Sequence, residues 1–501
     1  MKNYKIEGGK ARIDSELLPI YGEYDVVVVG GGMAGVGAAL AAAKEGAKTI
    51  IVENTSALGG LVTMGIVNIP LDFLSGIGTD FFNRLTEMNG LRKRNTDPEK
   101  HKLLFDRMVK EAGVDLLLVT PLIDTIVEGD TVKGIIVHTK QGRRVILGKR
   151  FVDSSGDSDL VYFADGEVEV GREKDHMSMG CSLEFVLGGV DIDKYRASDV
   201  FLNDTKWMKI LDKAIKNGEI PPIDNHLNWM THIPDRPEHC GKDEVSICFA
   251  HSRNCFPCDN DDLTRMYMEG REQCTILAKF IKEHIPGFED CYLSYTGSLL
   301  GVRESRRIVG EYRFTGMDIA TAKTFDDVIA ISWHGFDLHG FETVGNMKWF
   351  KGTLPSGEEV YVSNIAGWGS QLPPDDGLRR INMKELLTDL SQTYHYEIPY
   401  RSLLPIRLEN VLAAGRNIST DVPGQSGTRL IMCCMAMGEA AGTAAAMSIK
   451  EGVTPRKLDV AKLQRRLVEN KCNIGQGFRK IPALADGNYS EYAVDFKPIN
   501  G

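Results

Sequence analysis

A chain of 501 residues is too long for one simple domain, and a hydrophobic content of 43% is enough to fill two or three cores. Its 59 Lys and Arg against 69 Asp and Glu leave a formal charge of −10 at pH 7, which argues against nonspecific capture of nucleic acid or an anionic membrane. Ten cysteines are too sparse for a disulfide framework and fit reduced thiols in a cytoplasmic compartment.

No membrane span or secretory leader is expected. The longest apolar stretches, Ala38 to Ala43 and Ile431 to Met437, fall far short of the roughly 20 residues that cross a bilayer, and Met1 to Lys5 lead into no hydrophobic region. The short basic cluster Arg92-Lys93-Arg94 reads as a solvated loop.

Residues 1–22 form a leader onto the first strand. Val26 to Val29 are an unbroken β-branched run, as in a strand buried on both faces of a parallel sheet. Gly30, Gly32 and Gly35 follow in G-x-G-x-x-G order, then an alanine-rich helix from Ala34 to Lys44 and a second strand from Thr49 to Val52. Gly30 permits the tight turn, Gly32 lets the backbone approach a pyrophosphate, and Gly35 allows helix and strand to pack closely, with the helix N-terminus facing the phosphates. Glu53 ends the second strand, about 20 residues past the glycines, where a carboxylate accepts hydrogen bonds from a ribose. Strand, turn, helix, strand and terminal acid in this order indicate dinucleotide binding.

A flexible Leu58-Gly59-Gly60 loop comes next, then helical spacing over Gly76 to Leu91 and Lys102 to Ala112. Val114 to Val119 is a strand, and Thr125 to Val127 with Val132 to His138 reads as a hairpin turning at Glu128-Gly129-Asp130. Arg144 to Leu147 and Arg150 to Val152 continue as strands, and a polar loop from Asp153 to Asp159 closes the unit. From about Gly171 to Tyr400 the β-α-β alternation gives way to strands, loops and one long helix, Asp262 to Glu283, as expected of an inserted domain. A β-like run returns at Asn410 to Ala414, and Leu430 to Lys450 is a helix whose Ala441, Gly442, Ala444, Ala445 and Ala446 allow close packing. The organisation expected is a discontinuous dinucleotide-binding domain of residues 23–170 and 401–455, an inserted mixed α+β substrate domain of 171–400, and a C-terminal helix and tail of 456–501.

Several blocks, in order, resemble the FAD-dependent oxidoreductases of the glutathione-reductase-like superfamily, in a bacterial branch. They are the glycine motif with Glu53, Leu58-Gly59-Gly60, Val152 to Leu160, Leu300 to Arg307 and Phe336-Asp337-Leu338-His339. Ile398 to Leu403, Leu412 to Arg416 and Met437 to Gly442 complete the set. The resemblance covers about 20 to 455 and implies an α/β fold with a Rossmann-like parallel sheet and noncovalent FAD. It places the cofactor along Gly30, Gly32, Met33, Ala34 and Gly35, then Glu53 and Asn54 at the adenosine end, Gly59, Gly60, Leu61, Val62 and Thr63, Leu122, and Ser155, Gly156 and Asp157. Gly415 and Arg416 would meet the ribityl–pyrophosphate region, and Gly427, Thr428 and Arg429 the ring. Arg416 stands where many relatives carry Asp. A helix starting near Thr428 would aim backbone N–H groups at the flavin O2.

A flavin carries the hydride chemistry, so the protein need supply positioning and a proton donor or acceptor. His339 suits acid/base work, or else is a hydrogen-bonded interface histidine. Arg303 can hold a carboxylate, or Arg303, Arg306 and Arg307 pair with Glu304, Glu311 or another acid. Tyr400 and Arg401 either face the isoalloxazine or serve packing and ion pairing. Cys255-Phe256-Pro257-Cys258 lies in the second domain and away from the first dinucleotide unit, so it is expected to be neither a redox dithiol nor a zinc site. His239-Cys240 and His251 show no metal-ligand spacing.

The sequence therefore reads as an FAD-dependent oxidoreductase acting by hydride transfer on an unidentified small organic molecule, with no second G-x-G-x-x-G for a dedicated NAD(P)H domain. Alternatives are a dehydrogenase or reductase passing electrons to a separate protein or quinone, and a flavin-binding sensor or assembly protein without turnover.

Overall fold

The computed structural model describes residues 4–7, 10–13, 17–70, 72–92, 95–201, 203–223, 229–233, 243–342, 349–363, 373, 375–387 and 394–485. Lys93, Arg94, His239 and Cys240 lie outside the described residues.

The β-branched run forms β1 (Ile20–Val29), followed by α1 (Met33–Lys44) and β2 (Thr49–Val52). Two helices, α2 (Gly76–Glu87) and α3 (Pro98–Glu111), precede β3 (Asp115–Leu117). Helix α3 starts four residues before the sequence pattern indicates, because Asp97 caps it by accepting from Glu99 N and Pro98 sits in its first turn. Then come β4 (Leu122–Glu128), β5 (Thr131–Thr139) and β6 (Gly142–Asp153). The expected short strands at 144–147 and 150–152 are thus one strand. Its first half pairs antiparallel with β5, and its second half runs parallel to β1.

The sheet order is β3-β2-β1-β6-β5-β4. In β1, Val26 and Val28 join the core beneath α1, whereas Val27 and Val29 join the core on the opposite face. Each valine is nearly or fully buried, which stabilises the fold on the order of 1.5–3 kcal/mol per side chain relative to exposure.

The middle of the chain builds a second, antiparallel sheet. Its strands β7 (Cys181–Val190), β8 (Trp229–His232) and β9 (Asp243–Ser252) precede the long α4 (Asn260–His284), and β10 (Tyr292–Thr296) follows it. The order is β8-β9-β7-β10. Cys181, Leu183, Phe185 and Leu187 of β7 share a core with Met266, Leu277 and Phe280 of α4. By the period-two rule Ser182, Glu184 and Val186 face the other way, and Val186 meets Ile66 there.

The chain then returns. Strand β11 (Val328–Ser332) pairs with β12 (Tyr396–Pro399), and β13 (Val411–Ala413) joins the first sheet beside Phe151–Asp153 of β6, parallel. Residues from both ends of the chain therefore complete one sheet. Two helices follow, α5 (Val422–Thr428) and α6 (Ile431–Lys450). Thr428 ends α5 and the long helix starts at Ile431, so the helix start expected near Thr428 is displaced by the break at Arg429 and Leu430.

Helices α1 and α6 pack at backbone distance. A Cβ on Gly438 would lie 2.0 Å from Ala34 O, and one on Gly442 would lie 2.0 Å from Ala38 O. Only glycine fits at either place. Among the described helices, α6 alone has the length and hydropathy to cross a bilayer, but it is a core helix with 83% of its apolar window buried inside the protein.

Candidate functional site

The first turn of α1 has no side-chain cap, because Gly32 is its N-cap. Its leading N–H groups, including those of Met33, Ala34 and Gly35, therefore lack intrahelical acceptors and carry the positive end of the helix dipole. Three glycines shape the space before them differently. Gly30 has φ +95° and its Cβ would strike Ser154 O at 2.4 Å, while a Cβ on Gly35 would fall 1.8 Å from Gly30 O. A Cβ on Gly32 would meet nothing within 4 Å, and one on Gly60 would meet only the Gly32 Cα, at 3.2 Å. Gly30 and Gly35 thus hold the turn, whereas Gly32 and Gly60 border open space in front of a helix N-terminus. A pyrophosphate fits that space.

Glu53 is buried and oriented by backbone. One carboxylate oxygen accepts from Gly31 N (2.5 Å) and the other from Thr55 N (2.6 Å). Each oxygen keeps a lone pair for a ribose hydroxyl. Asn54 is exposed beside it. The Gly59–Thr63 loop closes through Thr63 Oγ1, which donates to Leu58 O at 2.6 Å; Leu61 is half-buried and Val62 buried. Leu122 is half-buried at the start of β4.

The loops carrying the other expected cofactor residues are tied together at Asp153, the end of β6. Its carboxylate accepts from Ser155 Oγ (2.7 Å), Val161 N (3.0 Å) and Asn417 Nδ2 (3.2 Å). Burial raises the Asp153 carboxyl from its ordinary value, and the hydrogen bonds oppose that rise. Gly156, at φ +82°, lies against the Arg416 guanidinium, which pairs with Asp157 at 2.6 Å and donates to Val302 O. Gly415, at φ +110°, brings this segment to within 3.2 Å of the Ala34 side chain, measured from the position of a Cβ. Gly427 and Thr428 are buried in the last turn of α5.

The parallel packing of α6 on α1 fixes the direction of the site. Gly438 sits level with Ala34, so α6 extends about 10 Å past the α1 N-terminus (seven residues at 1.5 Å each). A cofactor running from Gly32 along Gly415 and Arg416 meets the start of α6, where Arg429 stands.

Buried charge converges beyond that point. Arg429 bonds Asp337 through both its backbone O (2.9 Å) and carboxylate (2.8 Å), leaving Arg429 Nε without a partner. His339 Nε2 lies 3.3 Å from the same carboxylate, yet it is not aligned for a hydrogen bond and has none. Burial, with the nearby Arg303 cation, pushes the His339 pKa down to about 3, so the imidazole is neutral at ordinary pH. Burial would raise the Asp337 carboxyl, but His339 and Arg429 outweigh it and hold it well below its usual value.

Arg303 is buried, donating to Gly180 O at 2.7 Å and reaching Cys248 Sγ at 3.9 Å. Among the described residues no carboxylate lies within ion-pair distance of it. Its neighbours do pair: Arg307 with Glu304, and Arg306 with Asp159 at 2.5 Å.

Two candidates stand apart. Tyr400 is buried and donates to Pro455 O at 3.0 Å, placing it just past the C-terminal end of α6 and far from its start. Arg401 pairs with Asp327 at 2.9 Å. Their closeness to the C-terminal block in sequence does not carry into space, because α6 spans about 30 Å between its ends. Cys255 is buried where residue 178 bridges to it, and Cys258 is exposed in the field of Arg306, Asp157 and Arg416. The C-x-x-C therefore reaches the seam beside the Asp153–Asp159 loop instead of lying deep in the second domain. Glu184 and the Asp337–Arg429 pair escape sequence reading. A glutamate inside the apolar run Cys181–Val190 is a signal for the first, since buried carboxylates are rare.

Sheet, glycine turn and open helix N-terminus together define a Rossmann-like fold of the dinucleotide-binding class. The family model for FAD dependent oxidoreductases matches residues 25–467, and the chain belongs to that family. Its cofactor is FAD. A curated relative, the tRNA uridine 5-carboxymethylaminomethyl modification enzyme MnmG of Campylobacter hominis, is 23% identical over 222 residues, 39% of this chain and 34% of that protein. The chain thus spans about a third of that relative's length. Among solved structures, a geranylgeranyl bacteriochlorophyll reductase-like protein from Thermoplasma acidophilum is 14% identical, covering 89% of this chain and 83% of its own at a TM-score of 0.41. The flavin-dependent brominase Bmp2 is 12% identical, covering 91% and 85% at a TM-score of 0.41.

Proposed function

We propose that this FAD-dependent oxidoreductase oxidises or reduces a small organic molecule by hydride transfer, with the substrate held between the start of α6 and a substrate domain spanning residues 171–400. FAD, when bound, supplies the two-electron chemistry. The open space at Gly32 and Gly60, the uncapped N-terminus of α1 and Glu53 fit its pyrophosphate and adenosine ribose, and Arg416 and Asp157 border the path toward α6.

One observation carries the reading: His339 Nε2, neutral and without a hydrogen bond, lies buried beside Asp337, in the field of the unpaired Arg303. In the oxidative direction the neutral His339 Nε2 accepts the substrate proton; burial and Arg303 oppose the imidazolium it becomes, and the Asp337 carboxylate favours it. Asp337 stays charged because Arg429 holds it. Arg303 orients the substrate, and the surrounding apolar residues exclude water.

Anaerobic mixing with a panel of small acids, amines, alcohols and aromatics, followed by flavin bleaching, tests this reading. Bleaching by a member of one class supports it. A folded, FAD-loaded protein that no small molecule bleaches, but that a separate reduced protein or quinol reduces, would replace it with an electron-transfer role. FAD-dependent association without any turnover would make it a sensor.

A further inference from the structure

Arg303 and Glu184 come from segments more than a hundred residues apart and lie within electrostatic reach of one another at one face of the second sheet. Strand β7 turns Cys181, Leu183, Phe185 and Leu187 into the core beneath α4, so Glu184 projects from the opposite face with Ser182 and Val186. That face looks toward the Met64–Ile66 loop: Val186 packs on Ile66, Ser246 Oγ donates to Ile66 O at 3.4 Å, and Leu299 N donates to Met64 O at 3.0 Å. Cys248 of β9 lies on the same face, where its thiol meets Ser182 Oγ at 3.5 Å and Arg303 Nη2 reaches it at 3.9 Å.

Both side chains are more than nine-tenths buried. Arg303 has no carboxylate within ion-pair distance among the described residues, and Glu184 Oε2 has no hydrogen-bond partner. A buried guanidinium without a counter-charge and a buried carboxyl oxygen without a partner both favour a ligand that supplies what each lacks. Burial raises the Glu184 carboxyl well above its ordinary value, more than the nearby Arg303 and Cys248 lower it, and so favours the protonated, hydrogen-bond-donating form. The other groups in range are Cys274 on α4, whose thiol is itself raised by burial, and, beyond Arg303, His339 and the Asp337–Arg429 pair.

We propose that Arg303 and Glu184 form one recognition site for a small carboxylate substrate. Arg303 pairs with the carboxylate and the Glu184 carboxyl donates a hydrogen bond to it. The inference rests on the placement of the substrate side given above and adds the substrate class.

The FAD-loaded protein is titrated with acetate, succinate and benzoate, and with acetamide, succinamide and benzamide, by the change in flavin absorbance. At least one carboxylate is expected to bind tenfold or more tightly than its amide, roughly the value of one charge-assisted contact. Arg303→Met abolishes the preference. Glu184→Ala weakens the carboxylate about tenfold, and Glu184→Gln, which keeps a donor of the same shape, stays within about threefold of wild type. Tighter carboxylate binding in Glu184→Ala would mean an ionised Glu184 that repels the ligand, and would overturn the proposal. Equal binding of carboxylates and amides, or no binding of either, would overturn it too. Should Glu184→Ala fold poorly, the wild-type preference and the Arg303→Met and Glu184→Gln titrations still decide. A wild-type preparation bleached by neutral amines or alcohols but indifferent to carboxylates defeats this site alone, whereas one that never bleaches defeats the oxidoreductase reading beneath it.

Discussion

His101 and His339 are the same residue under the same burial, one beside the proposed cofactor cradle and one on the proposed substrate side. Both are pushed down to a pKa of about 3 by desolvation. His101 lies edge-on to Phe81, with ring centroids 5.0 Å apart, and near Phe105, and neither ring nitrogen finds a partner. His339 has Asp337 at 3.3 Å and lies in the fields of Arg303 and Arg429. A depressed pKa thus marks burial in both places; His101 has only the Asp97 charge in reach, whereas Arg303, Asp337 and Arg429 converge on His339. The two regions differ in the same way throughout. The cradle is made of backbone: uncapped N–H groups, glycines and one carboxylate. The substrate side is made of side chains whose partners come from distant segments.

The sharpest contrast lies between the histidines themselves. His339→Ala is expected to slow flavin reduction by roughly 10²–10⁴-fold with FAD retained, whereas His101→Leu leaves it unchanged, as stopped-flow absorbance will show. Loss of FAD or of the fold in His339→Ala, without a rate defect in the protein that survives, would make the two histidines equivalent.

A second contrast lies within the cradle. Gly35→Ala forces a Cβ to 1.8 Å from Gly30 O and should cost about 3 kcal/mol or more of stability, read by thermal melting. Gly32→Ala meets no protein atom, so the FAD-free protein should melt as wild type does while FAD affinity falls. Equal melting losses in both variants would show that Gly32 is a packing residue.

Glu53→Ala is expected to weaken FAD binding by about 1.5–3 kcal/mol, the loss of a hydrogen bond to a charged group. Titration of the FAD-free protein measures it; unchanged affinity would confine Glu53 to its bonds with Gly31 and Thr55.

The smallest effect is a pH dependence. The unfolded chain protonates His101 near 6.5 and the folded chain near 3, so the stability of the neutral buried ring is complete above about 6.5 and is lost as pH falls toward 3. His101→Leu should remove up to about 1.4 kcal/mol of that loss per pH unit, so melting curves of variant and wild type diverge on acidification. Parallel pH profiles would contradict the burial account.

The cradle was legible because its parts are local: Val26 to Glu53 carries strand, turn, helix and acid in order, and α6 announces its close packing through Gly442 and the alanines around it, though not through Gly438. The substrate side was legible only in part. Arg303 and His339 stood out in their blocks, but the Asp337–Arg429 pair joins residues 92 apart in sequence, which no local pattern specifies. Tyr400 and Arg401 follow the packing and ion-pairing alternative for the converse reason. They adjoin the cofactor block in sequence but sit at the opposite end of a long helix. Glu184 needed the strand register that sets which side of β7 is packed.

The most direct measurement is a crystal structure of the FAD-loaded protein. The pyrophosphate is expected against Gly32 and Gly60 and the flavin ring at the start of α6, with His339 and Arg303 facing it across the substrate space. A ring lying elsewhere, with His339 and Arg303 closed off from it by protein, would contradict that arrangement.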